Sequence, residues 1–443
     1  MKVIRTSVSI LLSLIMVVSL FTIIPFEAGA AIGVRYIERS WNGSKVVSQT
    51  KTCTNYTSLS NRSSDTLTSG WYVVDNNMTI DGRLRVSGTV NLILCDNNTL
   101  TLKSGATVLE NDSLNIYAQS DGDNKGKIYS HPSDSTDDFE MKDSAVIGGT
   151  VDDPNAGNIV VHGGNLDLKA PSHQGFFTYN DAACLGGGYK GTVKSVKVFG
   201  GNVKCESPGG GAAIGGGEYG APSNGDGLLI YGGIIEATSH CANGDGAAAI
   251  GGGYDSPHAS GTIRIYGGEI QAKAINGGAA IGSGEETDSN NIVITGGNIT
   301  ATATTGNGES GAGIGSGCGG RAHEISISNA VITAVASSGA GIGSGEKGHC
   351  DGVNIISAYV VATSLNGGAA IGSGYKGDCD DIFIDDGSYI LAYSKEFKET
   401  EEVSNDLAIM GAANIPQINY KVALFKSALS GLGALISLCT PDK

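Results

Sequence analysis

The residues best suited to chemistry recur at fixed places in a glycine-rich chain. Phe199, Tyr231 and Tyr266 each stand directly before a Gly-Gly pair, as does His162. Tyr189, Tyr219, Tyr254 and Tyr375 each follow a glycine-rich phrase, with Glu285 and Glu346 among them. Rows of aromatic rings offer the apolar faces on which sugar rings pack. Acidic loops, among them Asp152-Asp153, Glu285-Glu286-Asp288 and Asp378-Cys379-Asp380-Asp381, supply the oxygen ligands that suit Ca²⁺. Asp378, Asp380 and Asp381 are the candidates for that ion. Because no EF-hand spacing and no GGxGxD repeat occurs, solvated acidic turns are the competing reading. No cofactor is expected, with calcium the one alternative.

Catalysis finds less support. A glycosidase needs two carboxylates set across the scissile bond. An eliminating lyase needs a base, typically Arg or Lys, and a neutralised uronate. Beyond the N-terminal region only Arg264 and Arg321 remain, and the 7 His are scattered, none in the context of a Ser or Cys nucleophile. No catalytic residue is named.

Cysteine chemistry is limited by number and spacing. There are 9 Cys and no CxxC pair, which argues against a zinc site. Cys350 and Cys379 each lie eight residues after the Ile of a repeated phrase. In a stacked structure they fall one layer apart, about 4.8 Å, which a disulfide tolerates. An unpaired ladder of small side chains fits equally well.

The element that must position these residues is the phrase itself. "GGAAIGGG" at 210–217, "GAAAIGGG" at 246–253 and "GGAAIGSG" at 277–284 and 367–374 anchor a self-alignment on Ile147, Leu185, Ile214, Ile250, Ile281, Ile314, Ile342 and Ile371, with Ile409 a further candidate. Two residues before each of the first eight stands Ala, expected on the same inward face as the anchor. Between anchors lie blocks such as "IRIYGGEIQAKA", two alternating strands joined by a Gly-Gly corner. In "IRIYGG", Ile263 and Ile265 should face in, and Arg264 and Tyr266 out. Each repeat therefore holds three short strands and three corners, and stacking is what buries its inner face. No helical pattern follows any phrase, which excludes a phosphate loop and helix-containing solenoids.

The sequence predicts an all-β, right-handed parallel β-helix with terminal caps. Its 443 residues include 69 Gly, 9 Pro and only 16% charged residues. The expected divisions are a signal peptide at 1–30, an N-terminal cap at 31–70, β-helix repeats at 71–393 and a C-terminal cap at 394–443. Lys2 and Arg5, an apolar run from Val8 to Ile24 and Ala28-Gly29-Ala30 carry the signal reading, and with it a secreted or surface location. No membrane span is expected after its cleavage. A net charge of −16 argues against nucleic acid as partner.

The phrases "AAIGSG", "GAGIGSG" and "IYGGEIQA", behind the opening block "WYVVDNNMTIDGRLRVSGTVNLILCDNNTLTL", resemble the glycine-rich, pectin-lyase-like β-helix surface proteins of Gram-positive anaerobes, described as carbohydrate-binding-domain-containing. The resemblance spans roughly residues 36–393. It implies a non-catalytic protein that binds polysaccharide or surface glycans, expected as a monomer. The alternatives are a polysaccharide lyase or glycoside hydrolase of that fold, and a structural adhesin with protein partners. The polygalacturonase-type set of "NTD", "DD", "GHG" and "RIK" is absent as a set.

Overall fold

A computed structural model describes residues 33–132, 141–172, 180–241, 244–306 and 308–394. The signal at 1–30, Ile409 and residues 395–443 of the expected C-terminal cap lie outside them.

The chain is a parallel β-helix, built because the sequence switches between three kinds of short strand in every coil. The anchor face consists of two-residue strands paired in register from coil to coil. Ile147 pairs with Leu185, Leu185 with Ile214, and so on to Ile342 with Ile371. The second face carries strands such as Ile263–Ile265, Ile292–Ile294 and Ala322–Ser328. The third face is an 11-stranded parallel sheet that ends in Tyr389–Ser394. Period-two alternation sends Ile263 and Ile265 inward, with Arg264 and Tyr266 on the other side, as expected. Inward residues of all three faces form one continuous core, in which Ile281, Ile314, Ile325 and Ile342 have no exposed surface. Shortening such a side chain to Ala costs about 2–5 kcal/mol.

The anchor strand differs in detail from the sequence reading. The Ala two before each anchor is buried, yet the residue joining the core is the one between them: Val146, Cys184, Ala213, Ala249, Ala280 and Ala370. The reason is that these strands are too short for alternation and bend at once. The backbone N–H of Ala279 donates to the Ser283 carbonyl at 3.0 Å, closing the turn across the anchor, and the other coils repeat this bond. Gly is obligatory after each anchor from Ile147 to Ile342. Its φ runs from +132° to +146°, and a Cβ there would collide with the carbonyl of the equivalent Gly one coil on.

The segment expected as an N-terminal cap divides in two. Leu59, in a short 3-10 turn, is fully buried and closes the end of the core, and the first coil already begins at Thr66. Strands β1 (Val34–Trp41) and β2 (Val46–Cys53) form an antiparallel hairpin. That hairpin does not sit on the end of the solenoid. Ile37 bridges to Ala118 on the second face, Arg39 lies over Gly163 and Gly200, and Val46 comes near Gly232. It runs along the flank, crossing coil after coil.

Candidate functional site

The second face places Phe199, Tyr231 and Tyr266 as outward neighbours, as the Gly-Gly register requires. Phe199 and Tyr231 stack at 4.7 Å with planes 3° apart, and Tyr231 and Tyr266 at 4.8 Å and 5°. His162 and Tyr117 extend the column, Tyr117 on His162 at 4.4 Å and His162 on Phe199 at 5.4 Å. Rings stacked this way cover one another's faces and present edges outward. The hairpin then packs against the column. Trp41 packs on Tyr231 at 5.3 Å and on Tyr266 at 5.1 Å, and the Arg39 backbone N–H donates to His162 Nδ1 at 3.1 Å. The ring proton of His162 therefore sits on Nε2, and burial lowers its pKa to about 4. Nothing in the ring positions announced the hairpin. Its signal is Trp41 itself, one of 2 Trp in the chain, beside the turn-forming Asn42-Gly43.

The loop leaving each anchor strand builds a second column. Its leading position holds Tyr189, Glu218, Tyr254, Glu285, Cys318, Glu346 and Tyr375. The backbone N–H there reaches the preceding coil, as from Tyr254 to the Gly210 carbonyl at 2.9 Å and from Glu285 to the Gly246 carbonyl at 2.6 Å. The following residue adopts a left-handed backbone, with φ between 45° and 62° at Lys190, Tyr219, Asp255, Glu286, Lys347 and Lys376, and all but the last of these donate to the next coil. Tyr219 belongs to this second position, one residue beyond the place its sequence alignment gave it. Its ring still lies between the other two, edge-on to Tyr189 at 5.9 Å and 78° and to Tyr254 at 6.2 Å and 66°. Lys190 Nζ stands 5.0 Å from the Tyr189 ring centre and 5.6 Å from that of Tyr219. Tyr375 lies coils away with Lys376 Nζ 4.9 Å from its ring, and does not join the group.

Carboxyl groups fill the space between these loops, and sequence reasoning missed most of them. Glu218 is nearly fully buried and hydrogen-bonded to Tyr219 and Asp181; burial first, then the Asp181 charge, pushes its pKa to about 8. Burial and the neighbouring acids also raise Glu285 to about 7. Asp181 accepts the Gly210 N–H at 3.0 Å, and Glu285 the Gly246 N–H at 3.2 Å. Glycine before the anchor is the visible signal, since it leaves room for a carboxyl overhead. Asp181 and Glu218 touch each other, so no scissile bond fits between them as it must between glycosidase carboxyls. Just beyond Tyr254, an open polar recess of about 450 Å³ is lined by Asn224, Ser256, His258, Glu286, Asp288 and Asn290.

The remaining candidates are placed more simply. Cys350 and Cys379 pair in register on neighbouring coils, as expected, and are free thiols. Asp378 and Asp380 face His349 at 3.0 and 3.9 Å, while Asp381 takes a left-handed turn with φ 44°. Among the described residues these three carboxylates do not converge as one ligand set. Among the described residues, no helix is long and apolar enough to cross a membrane.

What stands of the resemblance to Gram-positive surface proteins is its coarse part, long all-parallel sheets wrapped round an axis as a β-helix. Comparison with known proteins finds no matching family model, no matching curated protein and no matching solved structure.

Proposed function

We propose that the protein is a secreted, non-catalytic β-helix of the glycine-rich surface type that binds polysaccharide through the loop edge at Tyr189, Tyr219 and Tyr254. One observation carries this reading: these rings meet edge to face, whereas the second-face rings meet face to face. A ring approached edge-on keeps a face clear of that neighbour, and a sugar needs such a face. Lys190, Glu286, Asp288 and Asn290 stand alongside as donors and acceptors for hydroxyls. The recess has the size common to ligand pockets, roughly 300–1,000 Å³. Under the same reading Phe199, Tyr231 and Tyr266 seat the hairpin.

A glycan array probed with the mature chain tests the proposal, followed by the same array with Tyr189, Tyr219 and Tyr254 replaced by Ala. Retention by the parent and loss by the variant are expected. Equal retention by both would move the binding surface elsewhere.

A further inference from the structure

The geometry points to a site for a zinc-type divalent cation formed by Cys318, Glu309 and Glu285. One ligand atom from each lies within 4.8 Å of the others. They come from separate stretches: Glu285 and Cys318 hold the leading loop position of successive coils, and Glu309 lies in the stretch that enters the anchor at Ile314. The Cys318 thiol, 1% exposed, donates to Glu309 Oε2 at 2.7 Å, and Lys347 holds the other Glu309 oxygen. One coil further, Glu346 occupies the same column with 9% exposure, and its carboxylate has no hydrogen bond or ion pair among the described residues. It lies near enough for its charge to raise the Cys318 thiol, behind burial and Glu309.

The charges of Glu309, Glu285 and Glu346 all bear on the buried Cys318 thiol, and Lys347 is already engaged by Glu309. A divalent cation among Cys318, Glu309 and Glu285 neutralises the group from its centre. The donor set selects the metal: one sulfur with carboxylates is poor for Ca²⁺ or Mg²⁺, which take oxygen alone, and good for Zn²⁺. On binding, the thiol proton passes to solvent as the sulfur–metal bond forms, and Glu309 Oε2 exchanges that proton for the metal. The cation would tie the loops of consecutive coils together beside Tyr254 and the polar recess. It stands independently of glycan binding, and no CxxC spacing could have revealed it, since its ligands adjoin only through stacking.

Cobalt(II) is the probe, because a thiolate ligand gives Co²⁺ a near-ultraviolet charge-transfer absorption that carboxylates do not. Reduced, chelator-stripped full chain titrated with Co²⁺ is expected to develop this absorption to one equivalent and to lose it when Zn²⁺ is added. Cys318→Ser should abolish it, Cys379→Ser should leave it intact, and Glu285→Gln should weaken Co²⁺ binding at least tenfold while the strand circular dichroism stays unchanged. Absence of the charge-transfer absorption in the parent chain, or its survival in Cys318→Ser, would overturn the proposal.

Discussion

The ring column of the second face and the tyrosine edge beyond the anchor face are both products of repetition, and they differ in what repetition leaves open. On the second face the aromatic sits in a strand whose pairing is fixed in register, so each ring falls directly on the next, 4.7 to 4.8 Å apart from Phe199 to Tyr266. Register converts sequence periodicity into self-contact, and Trp41 of the hairpin packs on two of the rings. At the loop edge, Tyr219 is one residue out of step with Tyr189 and Tyr254, which turns the rings edge-on at 5.9 and 6.2 Å. A perfect repeat builds a strut, and an imperfect one leaves surface to be read.

Both regions hang on the anchor glycines, so the largest effect should come from removing one. Gly282→Ala places a Cβ against the Gly315 carbonyl at φ +140°. Chemical denaturation should show a loss of about 4 kcal/mol or more, and glycan retention should fail along with it. A loss below about 1 kcal/mol would mean that the coil spacing yields more easily than the stacked carbonyls imply.

The next effect separates the regions. Replacing Phe199, Tyr231 and Tyr266 together by Ala removes their mutual contacts, His162–Phe199 and both Trp41 contacts, so stability should fall by about 3 kcal/mol while glycan retention is kept. Hydrogen exchange in β1 and β2 should accelerate in the same variant. Protection that stays unchanged would show the hairpin to be held by its other contacts, those of Arg39 and Ile37 and the packing of Tyr36 on Trp71 and Tyr117.

Acid and base titrations should pull the two regions in opposite directions. His162 takes up its proton near 6.5 when unfolded and at about 4 when folded, so its contribution is complete above pH 6.5 and is lost as pH falls toward 4, by roughly 3 kcal/mol at most. Glu218 is raised from 4.5 to about 8, so its contribution is present below pH 4.5 and is lost as pH rises toward 8. His162→Asn, which keeps an acceptor for the Arg39 N–H, should flatten the acid limb of a stability-versus-pH curve. Glu218→Gln should flatten the other limb and leave the acid limb alone. A variant that altered both limbs would break the separation.

The smallest expected effect is on binding itself. Tyr189, Tyr219 and Tyr254 changed together to Ala should lower glycan affinity at least tenfold, about 1.4 kcal/mol, with the thermal midpoint moving far less than in the second-face variant. Affinity electrophoresis against retained polysaccharides gives both readings from one preparation. A larger stability loss here than on the second face would reverse the assignment of strut and surface.

Much of this protein is determined by sequence alone, because its fold is a stack of local decisions. The Ile-Gly anchors, the Gly-Gly corners and the inward Ile263 and Ile265 are set by alternation and by backbone conformations that glycine allows, and each is legible within a dozen residues. The same logic located the second-face rings and the Cys350–Cys379 register. Three things were decided only by the tertiary structure. The hairpin's position along the flank depends on what Trp41 and Arg39 meet some 120 to 225 residues away in the chain, at His162, Tyr231 and Tyr266. The inward residue of the anchor strand depends on a turn closed across it, which overrides period two in strands of two residues. The convergence of Glu285, Glu309 and Cys318 depends on which side chains stacking brings together. Local backbone chemistry reads out along the chain, but contact between distant side chains is fixed by how the coils lie on one another, and no short window of sequence contains it.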